Sequence, residues 1–260
     1  MIKNRTGWEV LQAAVFALFL RELKTRFGKY HLGYLWAFLS PAFQAYAMVA
    51  VFAMMGRTEK DGISLPVFHV VAVVTWYLFS YIAFRSLNAI EANIGLFNYR
   101  LIKPIDTILT RTILESCIYG VVYCVLLGLI WLVGDRYDLS HGILIIAILS
   151  LVVVLAFGCG LILMVLGHHF HDLEKVISLL RLPMYAFSGV MFSFQNLPDQ
   201  ALGYFSWNPL FHAVELERAA LFPTYDSQPA SLMYLAEVAL TILTLGLFVY
   251  KGFEKKMLRS

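Results

Sequence analysis

Long apolar stretches alternate with short polar segments along most of this chain. A helix needs about 20 apolar residues to cross the roughly 30 Å hydrocarbon core of a bilayer. The pattern therefore predicts six transmembrane helices. Their predicted limits are residues 34–56, 65–84, 112–134, 142–166, 176–194 and 231–250.

The N-terminal segment, about residues 8–29, contains the apolar stretch Val10 to Leu20, which is too short to span. On a helical projection Val15 and Leu18 share one face, whereas Arg21 and Lys24 lie on or near the other. This pattern is typical of a helix in the membrane interface, with its basic residues toward the headgroups. We expect an interfacial helix here.

A second unusual segment, residues 195–228, mixes aromatic residues with Pro198, Pro209 and Pro223. An apolar segment that prolines break cannot span as one helix, and irregular backbone at membrane depth must be covered by protein. The pattern indicates a re-entrant or interfacial segment before the last span.

Composition supports a membrane protein, because 60% of the residues are hydrophobic and only 14% are charged, whereas soluble domains have about 25% charged residues. We therefore expect an all-α polytopic membrane protein with one membrane domain over residues 1–260. The net charge of +3 is too small to suggest a nucleic-acid partner.

Charge placement predicts the orientation of the chain. Sixteen of the twenty Lys and Arg residues fall on the side that would hold both termini. Because Lys and Arg are retained on the cytoplasmic side, we expect both termini in the cytoplasm.

Several residues inside or beside the predicted spans have two open interpretations. Arg181 and Arg85 can extend to the cytoplasmic interface, or they can face an internal passage and meet an anionic ligand. Aromatic rings can line a sugar-compatible passage or form an interfacial belt. The aromatic candidates are Trp76, Tyr77, Tyr81, Tyr185 and Phe187.

The chain has no G-x-x-x-x-G-K-[ST] loop, so it cannot hydrolyse ATP through that phosphate cradle. The stretch "GHHFHDLEK", residues 167–175, combines His with carboxylates, which are metal-ligand types. Its spacing matches no known metal motif, and we favour a polar loop with titratable charge.

The connection between the second and third spans has recurring apolar positions. This spacing predicts a short helix with one face for a partner, or alternatively a helix packed on the protein's own cytoplasmic face. The apolar positions are Leu87, Ile90, Ile94, Phe97 and Leu101.

Several ordered motifs resemble the membrane subunit of type-2 ABC exporters that move polysaccharides. The chain is most similar to the Gram-negative capsular polysaccharide export permease, and the likeness covers nearly its whole length. The motifs are Arg21-x-x-Lys24-x-Arg26-Phe27, Leu32-Gly33-x-x-Trp36, Ser40-Pro41, the stretch Asn98 to Pro104, "HDLEKV", "MYAFSGVMF", and Asn208-Pro209 with Arg218 downstream.

This resemblance implies a homodimer in the bacterial inner membrane, with two separate ABC ATPase subunits that bind ATP and Mg²⁺. The chain itself would bind no cofactor and would be the pore-forming subunit of an ATP-hydrolysing translocase. The cargo would be a lipid-linked, often acidic polysaccharide. A periplasmic polysaccharide co-polymerase, an outer-membrane exporter and membrane lipids would be further partners.

The resemblance also gives roles to the candidate residues, because cations at the cytoplasmic entrance can attract an anionic glycolipid head. The substrate entrance would comprise Arg21, Lys24, Arg26, Lys29 and Tyr30. The substrate path would comprise Trp36, Trp76, Tyr77, Tyr81, Arg85, Arg181, Tyr185 and Phe187. Coupling to the ATPase, with the coupling helix at 88–104, would involve Asn88, Glu91, Asn98, Arg100 and Lys103.

Three alternatives stay open at this point. The same fold could export O-antigen or a teichoic-acid-type polymer. A passive channel is a second possibility, although aquaglyceroporins use two Asn-Pro motifs and here only Asn208-Pro209 occurs. A membrane-embedded transferase or protease is the third, but no paired carboxylates or Ser/His constellation in register supports it.

Overall fold

The computed structural model describes residues 15–24, 33–56, 59–60, 62–97, 102–170 and 172–257. Helix α1 occupies residues 15–24. The helices that follow are α2 (Gly33–Met54), α3 (Leu65–Ala83), α4 (Ile94–Phe97), α5 (Pro104–Val133), α6 (Gly142–His169), α7 (Leu173–Tyr185), α8 (Asp199–Phe205), α9 (Pro209–Leu221) and α10 (Leu232–Met257). A two-residue strand β1 (Glu59–Lys60) pairs antiparallel with β2 (Ile63–Ser64).

Within the described ranges, five helices are long and apolar enough to cross a membrane. They are Leu35–Met54, Leu65–Asn88, Pro104–Val133, Gly142–His169 and Leu232–Met257. They correspond to the first, second, third, fourth and sixth predicted spans, and the prediction of a helical polytopic membrane protein is confirmed. The third begins at Pro104 instead of residue 112, because the polar first turns of α5 continue the same helix.

The fifth predicted span, 176–194, is not one continuous α-helix. Helix α7 contains Pro183 and leads into a π-helical turn at Ala186–Val190. Gly189 has a φ of +80°, which lies in the region that favours glycine, so the regular helix is interrupted there. The count of six spans stays a prediction.

Helix α3 lies at the centre of the bundle and packs against α2, α5, α6 and α9. A helix that is apolar all round is expected to be buried on every side. Accordingly, 89% of the residues in the most apolar part of Leu65–Asn88 are buried. The corresponding share is 17% to 33% in the other four candidate spans. The other helices therefore have one face available to lipid or to a partner.

Helices α6 and α10 approach so closely that glycine is required at their contact. A Cβ atom on Gly158 would lie 2.7 Å from the backbone of Leu243. A Cβ atom on Gly246 would lie 2.5 Å from the carbonyl oxygen of Gly158. Small residues that permit such backbone contact are typical of helix pairs in membranes.

The predicted proline-broken segment 195–228 contains two short helices, α8 and α9. Asn208 caps α9, since its Oδ1 atom accepts a 3.0 Å hydrogen bond from the Leu210 N–H, and Pro209 occupies the first turn. The loop before α6 is tied to the end of α9 by a 2.8 Å bond from the Asp138 N–H to the Leu221 carbonyl. Most of α9 is buried in protein, but its re-entrant placement stays a prediction.

The α5–α6 loop has a polar turn at its exposed tip. The Ser140 N–H and hydroxyl each donate a 2.8 Å hydrogen bond to the Asp138 carboxylate. These two bonds hold the pKa of Asp138 below its ordinary value. Asp138 is therefore expected to keep its charge at neutral pH.

A buried ion pair lies within α9, and its arginine contacts the end of the segment that follows α7. Both side chains of the Arg218–Glu215 pair are fully buried, and Arg218 Nη1 lies 2.7 Å from Glu215 Oε1. The Glu215 carboxylate also accepts a 2.7 Å hydrogen bond from the Tyr225 hydroxyl. Arg218 Nη2 donates to the carbonyl oxygens of Gly189 (2.8 Å) and Phe68 (3.2 Å). The cation thus donates to one carbonyl at the irregular turn and to another near the start of α3.

The connection between α3 and α5 differs from the predicted helix over 88–104. The structure has 3-10 turns at Phe84–Asn88 and Glu91–Asn93, then the four-residue α4. Lys103 is extended, with φ −104° and ψ 155°, because a residue before proline disfavours the helical region. Pro104 therefore starts α5 and cannot end the preceding helix. Residues 98–101 lie outside the described residues.

Candidate functional site

Three adjoining cavities run along one side of the bundle. The first, the polar cavity, has a volume of about 630 Å³. The second, the aromatic cavity, has a volume of about 280 Å³ and shares Ser178 and Arg181 with the first. The third, the α2 groove, has a volume of about 730 Å³ and shares Gln44 and Tyr77 with the second. Each cavity therefore shares two lining residues with the next one.

The polar cavity lies where α1, the connection, α5 and α7 meet. Its apolar lining includes Phe84, Leu87 and Ile177. Its polar lining comprises Glu22, Arg85, Asn88, Arg111, Glu174, Ser178 and Arg181. Three arginines and two carboxylates give this cavity a mixed but net positive lining.

Two of these arginines are held by carboxylates. Arg111 donates hydrogen bonds of 3.0 Å and 2.9 Å from Nε and Nη2 to Glu22 Oε1, which ties α1 to α5. Arg111 Nη1 also donates a 2.6 Å bond to the Arg85 carbonyl oxygen. Arg85 Nη1 lies 3.5 Å from Oε1 of the buried Glu115. Arg85 is therefore an ion-pair partner of Glu115, which the sequence alone did not predict.

Arg181 differs from the other two arginines. It is exposed, and within the described ranges no carboxylate oxygen lies within 4 Å of its guanidinium. The guanidinium carbon lies 5.6 Å from the ring centroid of Phe84, in cation–π range. Arg181 therefore presents a positive charge at the junction of the polar and aromatic cavities.

The aromatic cavity combines flat ring faces with hydroxyl groups. Tyr77 and Tyr81 are stacked, with ring centroids 5.6 Å apart. The Tyr77 hydroxyl donates a 2.7 Å hydrogen bond to Gln44 Oε1. Trp76 and Tyr185 complete the aromatic lining, with their centroids 5.7 Å apart. Such a surface can contact the apolar faces and hydroxyl groups of a sugar.

The α2 groove is almost wholly apolar. Trp36 and Phe43 line it, and they are 60% and 79% exposed. Ser40 and Gln44 are its polar side chains from α2. The groove therefore offers an apolar surface next to the polar lining of the aromatic cavity.

The structure brings most of the predicted path residues together. Lining residues of the three cavities include Trp36, Trp76, Tyr77, Tyr81, Arg85, Arg181 and Tyr185. Phe187 lies elsewhere and stacks on Phe205 with centroids 4.8 Å apart. It falls in the π-helical turn beyond α7, where the backbone direction changes. Contact of these residues with a substrate stays a prediction.

Only part of the predicted entrance can be placed. Arg21 is partly buried and donates a hydrogen bond to Asn93 Oδ1 in the connection. This contact differs from the prediction that the cations of α1 face only headgroups. Lys24 is exposed. The predicted entrance residues Arg26, Lys29 and Tyr30 lie outside the described residues.

Three of the five predicted coupling residues lie in the described part of the chain, and all three are exposed. Asn88 and Glu91 are exposed, and Asn88 also lines the polar cavity. Lys103 is exposed and lies 3.6 Å from Glu254 of α10, measured from Nζ to Oε1. Asn98 and Arg100 lie outside the described residues.

Sequence reasoning did not single out Glu174 or Ser178 as lining residues. Together with Arg181 and Tyr185 they occupy positions spaced by four, three and four residues on α7. Residues at this spacing share one helix face. The periodicity of α7 was the signal that could have identified them.

The stretch "GHHFHDLEK" forms no metal-binding group among the residues that the structure describes. His169 Nδ1 lies 2.9 Å from the Val165 carbonyl oxygen. Asp172 pairs with Lys175 at 2.7 Å on the exposed surface. His171 lies outside the described residues.

Comparison with known proteins identifies the family. A family model described as "ABC-2 type transporter" matches residues 13–222. The chain is 45% identical to the polysialic acid transport protein KpsM of Escherichia coli, over 98% of this chain and 99% of that protein. It is 27% identical to the capsule polysaccharide export inner-membrane protein BexB of Haemophilus influenzae, over 92% and 90%. It is 25% identical to the O-antigen export system permease protein RfbA of Klebsiella pneumoniae, over 88% of each chain. The chain therefore belongs to the ABC-2 type transporter family.

Proposed function

We propose that this chain is the inner-membrane permease subunit of an ATP-driven exporter that moves a lipid-linked capsular polysaccharide from the cytoplasm to the periplasm. The name of BexB, a capsule polysaccharide export inner-membrane protein, supports a capsular cargo, and the name of KpsM, a polysialic acid transport protein, supports an acidic one. The structural observation that carries the proposal is the position of Arg181, a cation without a carboxylate partner among the described residues, between a polar and an aromatic cavity.

An acidic polysaccharide fits the chemistry of these cavities. Its anionic groups would be attracted to Arg181, and its sugar faces would contact Tyr77, Tyr81 and Tyr185. A guanidinium with no carboxylate partner among the described residues suits transport, because passage requires release as well as capture. The apolar α2 groove would accommodate the lipid anchor beside the sugar path.

The entrance would lie beside α1, at the end of the bundle that holds the connection. Lys24 is exposed there and would attract an anionic glycolipid head from the inner leaflet. Arg21 would contribute positive charge and would also hold the connection through Asn93.

The six-span topology with both termini in the cytoplasm belongs to this proposal. Support comes from the course of residues 173–190 beside α3. Arg181 lies against Phe84 near the end of α3, and Tyr185 lies against Trp76 in its middle. The Arg218 guanidinium donates hydrogen bonds to two carbonyl oxygens, that of Gly189 and that of Phe68 near the start of α3. The segment would therefore run antiparallel to α3 along most of its length.

The functional unit would be a homodimer. Helix α7 exposes Leu179 (80%) and Leu182 (71%) beside the charged Arg181, and α2 exposes Phe43. A helix that combines exposed apolar residues with an exposed cation is poorly suited to lipid alone. A second copy facing α2 and α7 would cover the apolar residues and enclose the cavities as one passage.

Energy would come from two separate ABC ATPase subunits that bind ATP and Mg²⁺. The permease role in an ABC family and the lack of a Walker-type loop in the sequence support this division of labour. The partners would contact the exposed surface of the connection, including Asn88, Glu91 and Ile94. A periplasmic polysaccharide co-polymerase and an outer-membrane exporter would receive the polymer.

Export of O-antigen is the second candidate function, because a relative along most of the chain is named an O-antigen export permease. The cavity lining suits both polymers, although the unpaired Arg181 favours an acidic one. A teichoic-acid-type polymer would have the same charge preference. Membership of an ABC transporter family disfavours a passive channel or a membrane-embedded enzyme.

The test is reconstitution of the chain with its ATPase subunit in proteoliposomes. We expect ATP hydrolysis to be stimulated by a lipid-linked acidic capsular polymer, and this polymer to cross the membrane only with ATP. A neutral O-antigen polymer on the same type of lipid would serve as the comparison. Stimulation and transport by the O-antigen polymer alone would support the second candidate. An ATP hydrolysis rate that neither polymer changes would contradict export of either polymer.

A further inference from the structure

The last turns of α10 are packed into the connection between α3 and α5. Tyr250 and Met257 of α10 are buried in a hydrophobic cluster with Ala89 and Ile90 of the connection and with Ile108 of α5. This cluster is separate from the main core around α3. The end of α10 is therefore a structural support for the segment proposed to contact the ATPase.

Glu254 is the charged centre of this contact. Its carboxylate accepts a 3.2 Å hydrogen bond from the Tyr250 hydroxyl and a 2.9 Å bond from Lys251 Nζ, both on α10. Its third partner is Lys103, whose Nζ atom lies 3.6 Å from Oε1. The Glu254 side chain is only 12% exposed, whereas that of Lys103 is 59% exposed. Glu254 is thus fixed on α10 and presents its charge to a residue of another segment.

Lys103 occupies a position from which movement of the connection would pass to α5. It is the extended residue before Pro104, and its backbone N–H donates a 2.8 Å hydrogen bond to Asp106 Oδ2 in the first turn of α5. Its side chain reaches Glu254 on α10. One residue therefore joins the connection, α5 and α10.

Helix α10 is in turn packed closely against α6. The backbones approach at Gly246 and Gly158, where an added Cβ atom on Gly246 would lie 2.5 Å from the Gly158 carbonyl oxygen. A displacement of Lys103 would therefore be passed through Glu254 to α10 and α6 together.

We infer that Glu254 is a positioning residue that holds the connection, through Lys103, in the arrangement needed for ATP-driven export. Glu254 acts on Lys103 and not on the polymer. The inference rests on the proposed function for its link to export, but the contact itself can be tested without transport.

The experiment uses charge reversal in the full chain with its ATPase subunit, with Lys103→Glu, Glu254→Lys and the double swap Lys103→Glu/Glu254→Lys. We expect each single reversal to lower the polymer exported per ATP hydrolysed by roughly three-fold, since a partly exposed ion pair is being reversed. The double swap is expected to restore most of this loss. Lys251→Gln is the matched control, because Lys251 pairs with Glu254 only within α10.

A second measurement on the purified chain separates this inference from the proposed function. Hydrogen–deuterium exchange of residues 84–97 and 102–108 should become faster in each single reversal and return toward wild type in the double swap. The inference would be overturned if these residues exchanged at the wild-type rate in Lys103→Glu. It would also be overturned if they exchanged as fast in the double swap as in the faster-exchanging single variant. Lack of polymer export by the wild-type complex would count against the proposed function instead, because the exchange result stands by itself.

Discussion

The guanidinium of Arg218 donates a 2.8 Å hydrogen bond to the carbonyl oxygen of Gly189, the residue at which the helix after α7 is interrupted. An unsatisfied carbonyl in a nonpolar interior is costly, so a fully buried cation at this turn stabilises the irregular backbone. The Arg218–Glu215 ion pair keeps that cation in place. The interruption of the helix and the burial of Arg218 are therefore parts of one arrangement.

Replacement of Arg218 is expected to destabilise the protein severely. Arg218→Met would leave the buried Glu215 carboxylate without its cation, which costs about 3–5 kcal/mol of unfolding free energy for buried pairs in general. Denaturant unfolding in detergent would measure this loss. Arg136→Met, which removes an exposed arginine stacked on Trp131, is the control and should change stability little. Equal stability of the two variants would refute the structural role of Arg218.

Arg181 is expected to govern the export of acidic polymers. Arg181→Ala removes a charged partner and should lower the rate for an acidic polymer about ten-fold, the effect of losing one charge-assisted contact. Arg181→Lys should retain part of the rate because the positive charge remains. Export would be measured in proteoliposomes, with assembly checked by co-purification of the ATPase. Arg136→Ala, on the exposed α5–α6 loop, is the matched control, and an Arg181→Ala rate equal to it would exclude the cationic passage.

Arg21 and Asn93 are expected to act as one unit. The structure places an Arg21 hydrogen bond on Asn93 Oδ1, so Arg21→Ala and Asn93→Ala should each lower export by roughly two- to five-fold, with little further loss in the double variant. Arg136→Ala is the control for removal of an exposed cation, because Arg136 lies on the α5–α6 loop away from the proposed entrance. Additive losses would instead indicate that Arg21 acts on the glycolipid independently of Asn93.

Gly246 is expected to tolerate no side chain. A Cβ atom there would lie 2.5 Å from the Gly158 carbonyl oxygen, so Gly246→Ala should force α6 and α10 apart at a cost of about 1–3 kcal/mol. Gly252→Ala lies on the same helix with no atom within 4 Å of the added Cβ and should be neutral or slightly stabilising. Comparison of the two unfolding curves in detergent tests this contact. A Gly246→Ala variant as stable as Gly252→Ala would contradict it.

Hydropathy alone predicted most of the long helices, because their length is set by the thickness of the bilayer. It also placed a span at 176–194, where Pro183 and Gly189 interrupt the regular helix. Hydropathy reflects the free energy of transferring side chains into hydrocarbon, and it does not show where the backbone bends. Pro104 was a readable boundary, since proline favours the first turn of a helix, yet the predicted coupling helix ended at residue 104 and the third predicted span began only at residue 112.

The aromatic cavity was largely predictable from residue type and spacing. Tyr77 and Tyr81 are four residues apart on α3, as are Arg181 and Tyr185 on α7, so each pair shares one face. Phe187, two residues after Tyr185, falls outside this face. The Glu22–Arg111 pair joins residues that are 89 positions apart, so no local sequence pattern could have predicted it.

The burial of α3 changes how substitutions in its sequence should be judged. Its mean hydropathy is 1.8, against 3.0 for α6, yet it is the helix most enclosed by protein. It carries His69 and Thr75 at positions with no exposure, whereas α6 faces outward with long aliphatic residues. A polar change on α6 therefore has to be weighed as transfer into lipid, whereas a polar change on α3 depends on whether a neighbouring helix offers it a partner. For this protein, a ranking of helices by hydrophobicity alone would make the interior α3 more tolerant of polar substitutions than α6, and experiment should find the reverse.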